Sequence, residues 1–267
     1  PEAVESNPIV TVLKSGIDLP MATSMGIVGI KKIAKAGGSF SNLRHVSKAI
    51  GSGTVDHTHV SAAVDAGLTG GGNGADLHFL KAAGHIKTGN LELTELNDLK
   101  NAIDANIKID DIFKDGGHGG IKTVKTLVDA GFTGDHLEHL NASELASFIG
   151  EDGKQTLGDA SKALEAKGHI ANGISLTKLV EHGVDDVTTA INGGYSHEEL
   201  NNLTSSSLKN VLGHIDSGLS KDEAAAAESS GVSAETTQSL LAAGIPSSLI
   251  SSVAALNLSN ADLTKLS

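Results

Sequence analysis

Cysteine and tryptophan are absent from this chain of 267 residues, and aromatic residues make up only 2% of it. Without cysteine, the chain can form neither disulfide bonds nor zinc sites with thiolate ligands. Because large rings are scarce, a ligand pocket lined by aromatic side chains and a stacking platform for single-stranded nucleic acid are both disfavoured. The sequence also contains no run of about 18 apolar residues, so it predicts no membrane-spanning helix.

The beginning of the chain lacks an initiating Met and any cationic and apolar leader, since it starts Pro1-Glu2-Ala3. We therefore expect a processed or trimmed N-terminus. The chain is rich in Ala, Ser, Gly, Asn and Thr and is acidic overall. This composition resembles that of secreted and surface-layer structural proteins of prokaryotes. The resemblance implies an extracellular or cell-surface location, with the cytoplasm as the alternative.

What the chain does contain is a recurring phrase, Gly-His-Ile, at residues 84–86, 168–170 and 213–215. Each copy follows a stretch with helical periodicity, so the pattern predicts that its glycine ends a helix in a left-handed cap. The histidine after each glycine is then expected to interact with the last carbonyl groups of its helix. Short stretches that end in glycine recur along the whole chain. Helices of that length need neighbours for stability.

The sequence therefore predicts an all-α fold made of irregular helical-hairpin repeats, stacked as a solenoid or packed as a helical array. Pro8 and Pro20 lie in residues 1–20, which we predict to be an N-terminal arm or a short helix. Residues 21–267 are predicted to form one helical repeat domain.

Charge is distributed unevenly along the chain, whose formal net charge is −12. The predicted first unit, residues 21–55, carries five cations and no carboxylate, whereas the remainder, residues 56–267, has a net charge of −15. The first unit is therefore predicted to bind an anionic partner. This partner is either an anionic surface polymer or the acidic end of another copy, because unlike ends favour head-to-tail assembly. A solvated cationic face is the alternative. The candidate contact residues are Lys31, Lys32, Lys35, Arg44 and Lys48.

No catalytic motif is recognisable, and the chain has no Gly-x-Ser-x-Gly elbow, so we predict that it is not an enzyme and uses no cofactor. Two histidine pairs lie beside carboxylates, His57 with His59 and His136 with His139. Imidazole and carboxylate groups together can hold zinc, copper or nickel, which makes these four histidines candidate metal ligands. Histidines on a polar surface are the alternative, because the spacing assigns no third ligand.

Residues 110–128 read Asp-Asp-Ile-Phe-Lys-Asp-Gly-Gly-His-Gly-Gly-Ile-Lys-Thr-Val-Lys-Thr-Leu-Val, and residues 140–157 and 30–38 follow a related pattern. These stretches resemble the repeats of TAL-effector-type DNA-binding proteins. In that family a short helix, a glycine-containing loop and a second helix form the repeat, and residues before the glycines approach bases in the major groove. The resemblance implies a helical-hairpin fold and DNA as the partner. The base-facing positions that it implies are Lys35-Ala36, Gly117-His118 and Glu151-Asp152.

The leading hypothesis is a non-enzymatic helical-repeat protein that acts by surface contact, through self-assembly or through anchoring to an anionic polymer. DNA binding is the first alternative, and divalent-metal binding through histidine is the second. The chain holds one arginine and its remainder is acidic. Both features favour the structural hypothesis over DNA, because duplex phosphates are neutralised mainly by arginine and lysine.

Overall fold

The computed structural model describes residues 28–32, 35–36, 40–69, 77–114, 119–254 and 256. Over these residues the chain is mostly helical and forms no β-sheet, so the all-α prediction is confirmed. Contacts divide the chain into two compact units, of which the first ends at Gln155 and the second begins at Thr156. The predicted arm, residues 1–20, lies outside the described residues.

In the described part of the first unit, residues 28–32 and 35–36 are helical and are followed by further helices. These are α1 Phe40–Gly51, α2 His57–Asp65, α3 His78–Lys87, a 3-10 turn Leu93–Glu95, α4 Leu96–Asp104, α5 Ile109–Phe113, α6 Gly120–Ala130, α7 Gly134–Leu137 and α8 Ala142–Ala146. The described part of the second unit contains α9 Ala160–Ala171, α10 Leu176–His182, α11 Val184–Asn192, α12 His197–Asn202, α13 Ser205–Asp216, α14 Lys221–Ser229, α15 Ala234–Ala242, a 3-10 turn Ser247–Leu249 and α16 Ile250–Ala254.

Helices of the second unit begin at polar caps. The Ser196 hydroxyl accepts a hydrogen bond from the Glu199 amide at 3.2 Å, and the Glu199 carboxylate accepts one from the Ser196 amide at 2.7 Å. Buried Tyr195 and Leu200 flank this reciprocal cap, which is the arrangement of a capping box with a hydrophobic staple. Such caps satisfy amides that a helix start leaves open. Side chains also cap other helices of this unit, at Asp159, Ser175, Thr204 and Ser233.

Helix ends use a left-handed glycine followed by a buried apolar residue. After α13, Gly218 has a φ of 95°, and the Leu219 amide donates to the His214 carbonyl at 3.1 Å. Gly173, with a φ of 104°, and Ile174 repeat this arrangement after α9. Glycine adopts such a φ without a steric penalty, so each glycine turns the following apolar side chain back onto the last helical turn.

The predicted helix ends at Gly84, Gly168 and Gly213 are wrong. These glycines lie inside α3, α9 and α13, and each helix continues for three residues beyond its glycine. The left-handed glycine stands five residues further along in every case, at positions 89, 173 and 218.

A close helix contact explains one of these internal glycines. A Cβ atom added to Gly213 would stand 2.4 Å from the Cβ of Ala234 on α15, so the missing side chain lets α13 and α15 approach each other. A Cβ on Gly84 would meet Val55 at 4.0 Å, an ordinary contact, and one on Gly168 would meet nothing within 4 Å. The glycine of the Gly-His-Ile tripeptide therefore has a different packing role in each of its three copies.

Each unit has its own apolar core. In the first unit, Phe79, Leu99 and Val124 belong to one cluster that joins helices α1 to α6. In the second unit, Leu219 and Leu240 belong to a cluster formed around α14 and α15. Burial of such side chains supplies most of the stability of helices that are only two or three turns long.

Extensive helix contacts join elements that are close in sequence. In the first unit α2 packs on α3, and α6 packs on α4 and α8. In the second unit α13 packs on α11, α14 and α15, while α14 packs on α16. Among the helices that the structure describes, none combines the length and hydrophobicity needed to cross a bilayer.

Candidate functional site

The predicted anionic-partner residues lie at the start of the described chain. Lys31, Lys32 and Lys35 are in the helical residues before α1, and Arg44 and Lys48 are on α1. All five side chains are exposed. Arg44 and Lys48 are four apart on α1, so these two cations share one side of their helix. We call these five residues the cationic surface.

Most of the cationic surface has no counter-charge among the carboxylates that the structure describes. Lys32 forms an ion pair with Asp65 at the end of α2. The other four cations form no ion pair with any carboxylate that the structure describes. Exposed cations placed four apart repel each other modestly, so an approaching anion gains attraction and also relieves this repulsion.

Lysines further along the chain are used differently, since several pair with carboxylates of a neighbouring helix. Lys81 on α3 contacts Asp110 on α5 at 2.5 Å, and Lys221 on α14 contacts Glu199 on α12 at 2.8 Å. The Lys221 ammonium, together with the Ser196 amide and hydroxyl, lowers the pKa of Glu199 to about 2. These charges are therefore already engaged within the fold.

Lys162 illustrates the same use of charge on α9. Its ammonium lies 2.6 Å from Asp185 on α11 and 3.0 Å from Glu165 on its own helix. Hydrogen bonds to these two carboxylates raise the pKa of Lys162 to about 12. Such solvent-exposed pairs contribute little to stability individually, but they fix which helix faces which.

The four predicted metal ligands do not converge. His57 and His59 lie on α2, where the His59 Nδ1 atom is 3.7 Å from the Asp56 carboxylate. His136 accepts a hydrogen bond at Nδ1 from the Thr133 amide at 3.2 Å, which uses its ring to cap α7. In the chain segments that the structure describes, no group of three or more His, Asp or Glu side chains is arranged to hold a metal ion.

The base-facing positions implied by the TAL-type resemblance are only partly described. Lys35 and Ala36 are helical, whereas Gly117 and His118 lie outside the described residues. Glu151 and Asp152 are exposed in a turn after α8. The Asp152 carboxylate accepts a hydrogen bond from the Lys154 amide at 3.0 Å and so stabilises that turn.

Among the described residues of the first unit, two of the surface pockets can be compared by their linings. One, of about 220 Å³, is bounded by Lys108, Asp111 and Glu138, and the other, of about 240 Å³, by Glu92 and Lys122 among others. Neither lining includes a serine, threonine, cysteine or histidine. The residues around these two pockets therefore provide no pair of nucleophile and imidazole base.

The histidines of the Gly-His-Ile copies lie in the last turn of their helices, but their rings contact other segments and not the last carbonyl groups, which corrects the sequence prediction. The His85 ring stacks on Phe113 with centroids 3.9 Å apart. His214 is fully buried, and its Nε2 atom donates to the Val232 carbonyl at 3.1 Å. His169 faces a histidine of another helix. Each helix ends two residues after its histidine, and the histidine side chains contact neighbouring segments.

Sequence reasoning missed the site that His169 forms. Its Nδ1 atom on α9 lies 3.0 Å from Nε2 of His197 on α12, and its Nε2 atom lies 2.9 Å from the Thr188 hydroxyl on α11. The two histidines are 28 residues apart. No local spacing rule relates them, since their approach depends on how three helices pack.

Searches against protein-family models, curated proteins and solved structures found no match to this chain.

Proposed function

We propose that this chain is a non-enzymatic helical-repeat interaction protein that anchors to an anionic cell-surface polymer through its cationic surface. The observation that carries the proposal is the clustering of unpaired cations in residues 21–55, a stretch that holds no carboxylate. Lys31, Lys35, Arg44 and Lys48 are exposed and form no ion pair with a described carboxylate. Lysines such as Lys81, by contrast, are neutralised by a neighbouring helix.

The local structure supports a repeat organisation in this proposal. Capped helix starts and left-handed glycine ends recur along the chain, and strongly contacting helices are neighbours in sequence. Proteins built this way stack short units that each contact only the adjacent ones. They commonly work by presenting an extended surface rather than a pocket.

A polysaccharide or similar surface polymer fits this surface better than duplex DNA does. The chain has one arginine, Arg44, and a net charge of −15 from residue 56 onward. A long duplex would bring many phosphates near that acidic remainder, whereas a flexible polyanion can contact the cationic surface alone.

The test is binding of the full chain to an immobilised sulfated polysaccharide, measured by surface plasmon resonance at increasing salt. Reversal of four charges, in the variant Lys31→Glu/Lys35→Glu/Arg44→Glu/Lys48→Glu, is expected to weaken binding by more than about tenfold, since each cation near an anionic surface contributes about 1 kcal/mol. Binding should also weaken steeply with salt.

The matched control reverses charge outside the cationic surface. Four exposed lysines have no described ion pair, so Lys122→Glu/Lys154→Glu/Lys167→Glu/Lys209→Glu makes the same change in net charge with little effect on the fold. Equal loss in both variants would refute a localised surface. Preferential binding of duplex DNA would favour the DNA alternative. Salt-sensitive polymers in light scattering without polysaccharide would favour head-to-tail assembly.

A further inference from the structure

A hydrogen bond between two imidazole rings joins two helices of the second unit. His169 lies in the last turn of α9 and His197 is the first residue of α12, and both side chains are half-buried. The Nδ1 atom of His169 is 3.0 Å from the Nε2 atom of His197, and the planes of the rings are 49° apart. The Nε2 atom of His169 lies 2.9 Å from the hydroxyl of Thr188 on α11. His169 therefore contacts two neighbouring helices, one through each ring nitrogen.

This ring-to-ring bond depends on the protonation of both histidines. It needs a proton on one of the two facing nitrogens and a lone pair on the other. The bond forms when both rings are neutral, and it also forms when one ring is protonated, because the neutral ring can still accept. When both rings are protonated, both facing nitrogens carry a hydrogen and neither can accept. The two cations then also repel each other.

Carboxylates near the pair are already engaged with lysines. Glu165 stands one turn before His169, and its negative charge favours the protonated form of that ring. The Lys162 ammonium, however, lies 3.0 Å from Glu165 and 2.6 Å from Asp185, and Glu199 pairs with an ammonium of α14 at 2.8 Å. A second proton on the pair would therefore gain little compensation. The titratable and charged side chains on α9 to α12, besides the pair itself, are Lys162, Glu165, Lys167, Lys178, Glu181, His182, Asp185, Asp186, Glu198 and Glu199.

Acid therefore favours separation of the two rings. Burial, and then the charge of His197, lower the pKa of His169. Once the rings have separated and are solvated, each titrates near about 6.5. Below that pH the separated pair binds two protons, whereas the closed pair binds the second proton only by losing its hydrogen bond. The closed arrangement thus becomes less favourable relative to the open one as pH falls.

The other end of α12 is held by groups that do not titrate. The Asn201 side chain donates to the Gly173 carbonyl at 2.8 Å and accepts from the Ser175 amide at 2.9 Å. Leu200, between the two attachments, is fully buried. Loss of the histidine contact would release the start of α12 and uncover Leu200, while Asn201 keeps the end of the helix in place.

We propose that the His169–His197 hydrogen bond is a pH-sensitive latch, which holds the start of α12 against α9 at neutral pH and releases it when both rings are protonated. The second unit would then present apolar surface around Leu200 only in acid. The latch is independent of the cationic surface, which lies in the first unit.

The experiment is hydrogen exchange of the full chain at about pH 7.5 and pH 5.0, with each rate corrected for the intrinsic pH dependence of exchange. The protection of residues 197–202 should fall by more than about tenfold, because one additional proton bound by the open form shifts the opening equilibrium about tenfold per pH unit below about 6.5. His197→Gln should reduce this fall to about threefold or less, since an amide can both donate and accept. The control His57→Gln, which removes a half-buried imidazole of the first unit, should leave the fall unchanged.

A second measurement needs no variant. Nuclear magnetic resonance of the chain with ¹⁵N-labelled histidine should show a shared hydrogen between the two rings at about pH 7.5 and two protonation steps for the pair. The second step should coincide with the loss of protection in α12. Rings that titrate together near about pH 6.5 while α12 stays protected would overturn the proposal. An unchanged fall in His197→Gln would do the same. If His197→Gln already lacks protection of α12 at neutral pH, the ring titration decides.

Discussion

The two units differ in what fills the space between their helices. All five phenylalanines of the chain lie at or before residue 148, in the first unit. Phe79 and Phe132 are among its largest fully buried side chains. The second unit has no phenylalanine, and its buried side chains include Tyr195, His182 and His214.

This difference shows how a core with few aromatic side chains can still determine how its helices pack. A buried phenylalanine gains stability from apolar area but accepts many orientations of its neighbours. A buried imidazole contributes less apolar area, yet a ring nitrogen that forms a hydrogen bond needs its partner in one direction. In the second unit, Val232 and Thr237 provide those partners to the two nitrogens of His214. Hydrogen bonds there fix the register of α13 against α15.

The largest expected effect comes from the first unit. Phe79→Ala should lower the free energy of unfolding by about 3–5 kcal/mol, because the fully buried ring leaves a cavity. Chemical denaturation measures the loss, and hydrogen exchange should place the greatest loss of protection before residue 155. Phe79→Leu, which keeps most of the apolar volume, should cost clearly less. An effect below about 1 kcal/mol for Phe79→Ala would contradict the role assigned to aromatic burial.

The substitution His214→Leu tests the role of the buried imidazole in the second unit. It keeps roughly the same side-chain volume and removes both hydrogen bonds of the ring. The change should cost about 2 kcal/mol, because the Val232 carbonyl and the Thr237 hydroxyl remain buried without this partner. The same denaturation measurement applies. In combination with Thr237→Val, the total cost should be less than the sum of the two single changes, since both remove one interaction. Strict additivity would mean that the His214–Thr237 contact contributes nothing.

The sequence predicted the helical class but misplaced several helix ends. Apolar periodicity and recurrent glycines are local features, and the left-handed caps that they indicate do occur, as at Gly173 and Gly218. A glycine inside a helix costs only about 1 kcal/mol relative to alanine, so a local pattern cannot distinguish Gly213 from a cap. The deciding contact, with Ala234, is made across helices. A usable signal was the apolar residue and polar cap that follow the true terminal glycine, as in Leu219-Ser220.

The candidate sites were predictable to different degrees. The cationic surface is visible from composition alone, because its residues cluster within a short stretch, and the structure adds that these side chains are exposed. Its partner stays a prediction. The His169–His197 pair was not predictable, since the two residues are 28 apart in sequence and come into contact only when α9, α11 and α12 pack together. Sequence spacing finds side chains that share one helix or strand, and it misses those that tertiary contacts bring together.

Replacement of the internal glycines by alanine is expected to have a smaller effect on the free energy of unfolding. The two substitutions distinguish a loss of close helix packing from the cost of placing glycine in a helix. Gly213→Ala should destabilise the second unit by about 1–3 kcal/mol, because the new Cβ would stand 2.4 Å from Ala234. Gly168→Ala should instead stabilise by about 0.5–1 kcal/mol, since open space surrounds that position and alanine favours the helix. The thermal unfolding midpoint should therefore fall for Gly213→Ala and rise for Gly168→Ala. Effects of the same sign would show that the Gly-His-Ile copies pack alike after all.

The smallest effect expected is a pH dependence contributed by His214. Burial lowers the pKa of this imidazole in the folded chain, while an unfolded histidine titrates near about 6.5. Below that pH the unfolded chain binds more protons, so the free energy of unfolding should fall as pH decreases, by at most about 1.4 kcal/mol per pH unit for this one group. The stability gap between the unmodified chain and His214→Leu should therefore narrow from about pH 7.5 to pH 5, while Thr237→Val, which keeps the imidazole, should retain the acid sensitivity. A gap that stays constant or widens on acidification would mean that His214 accepts a proton in the folded state, and that the second unit does not depend on a neutral imidazole at its centre.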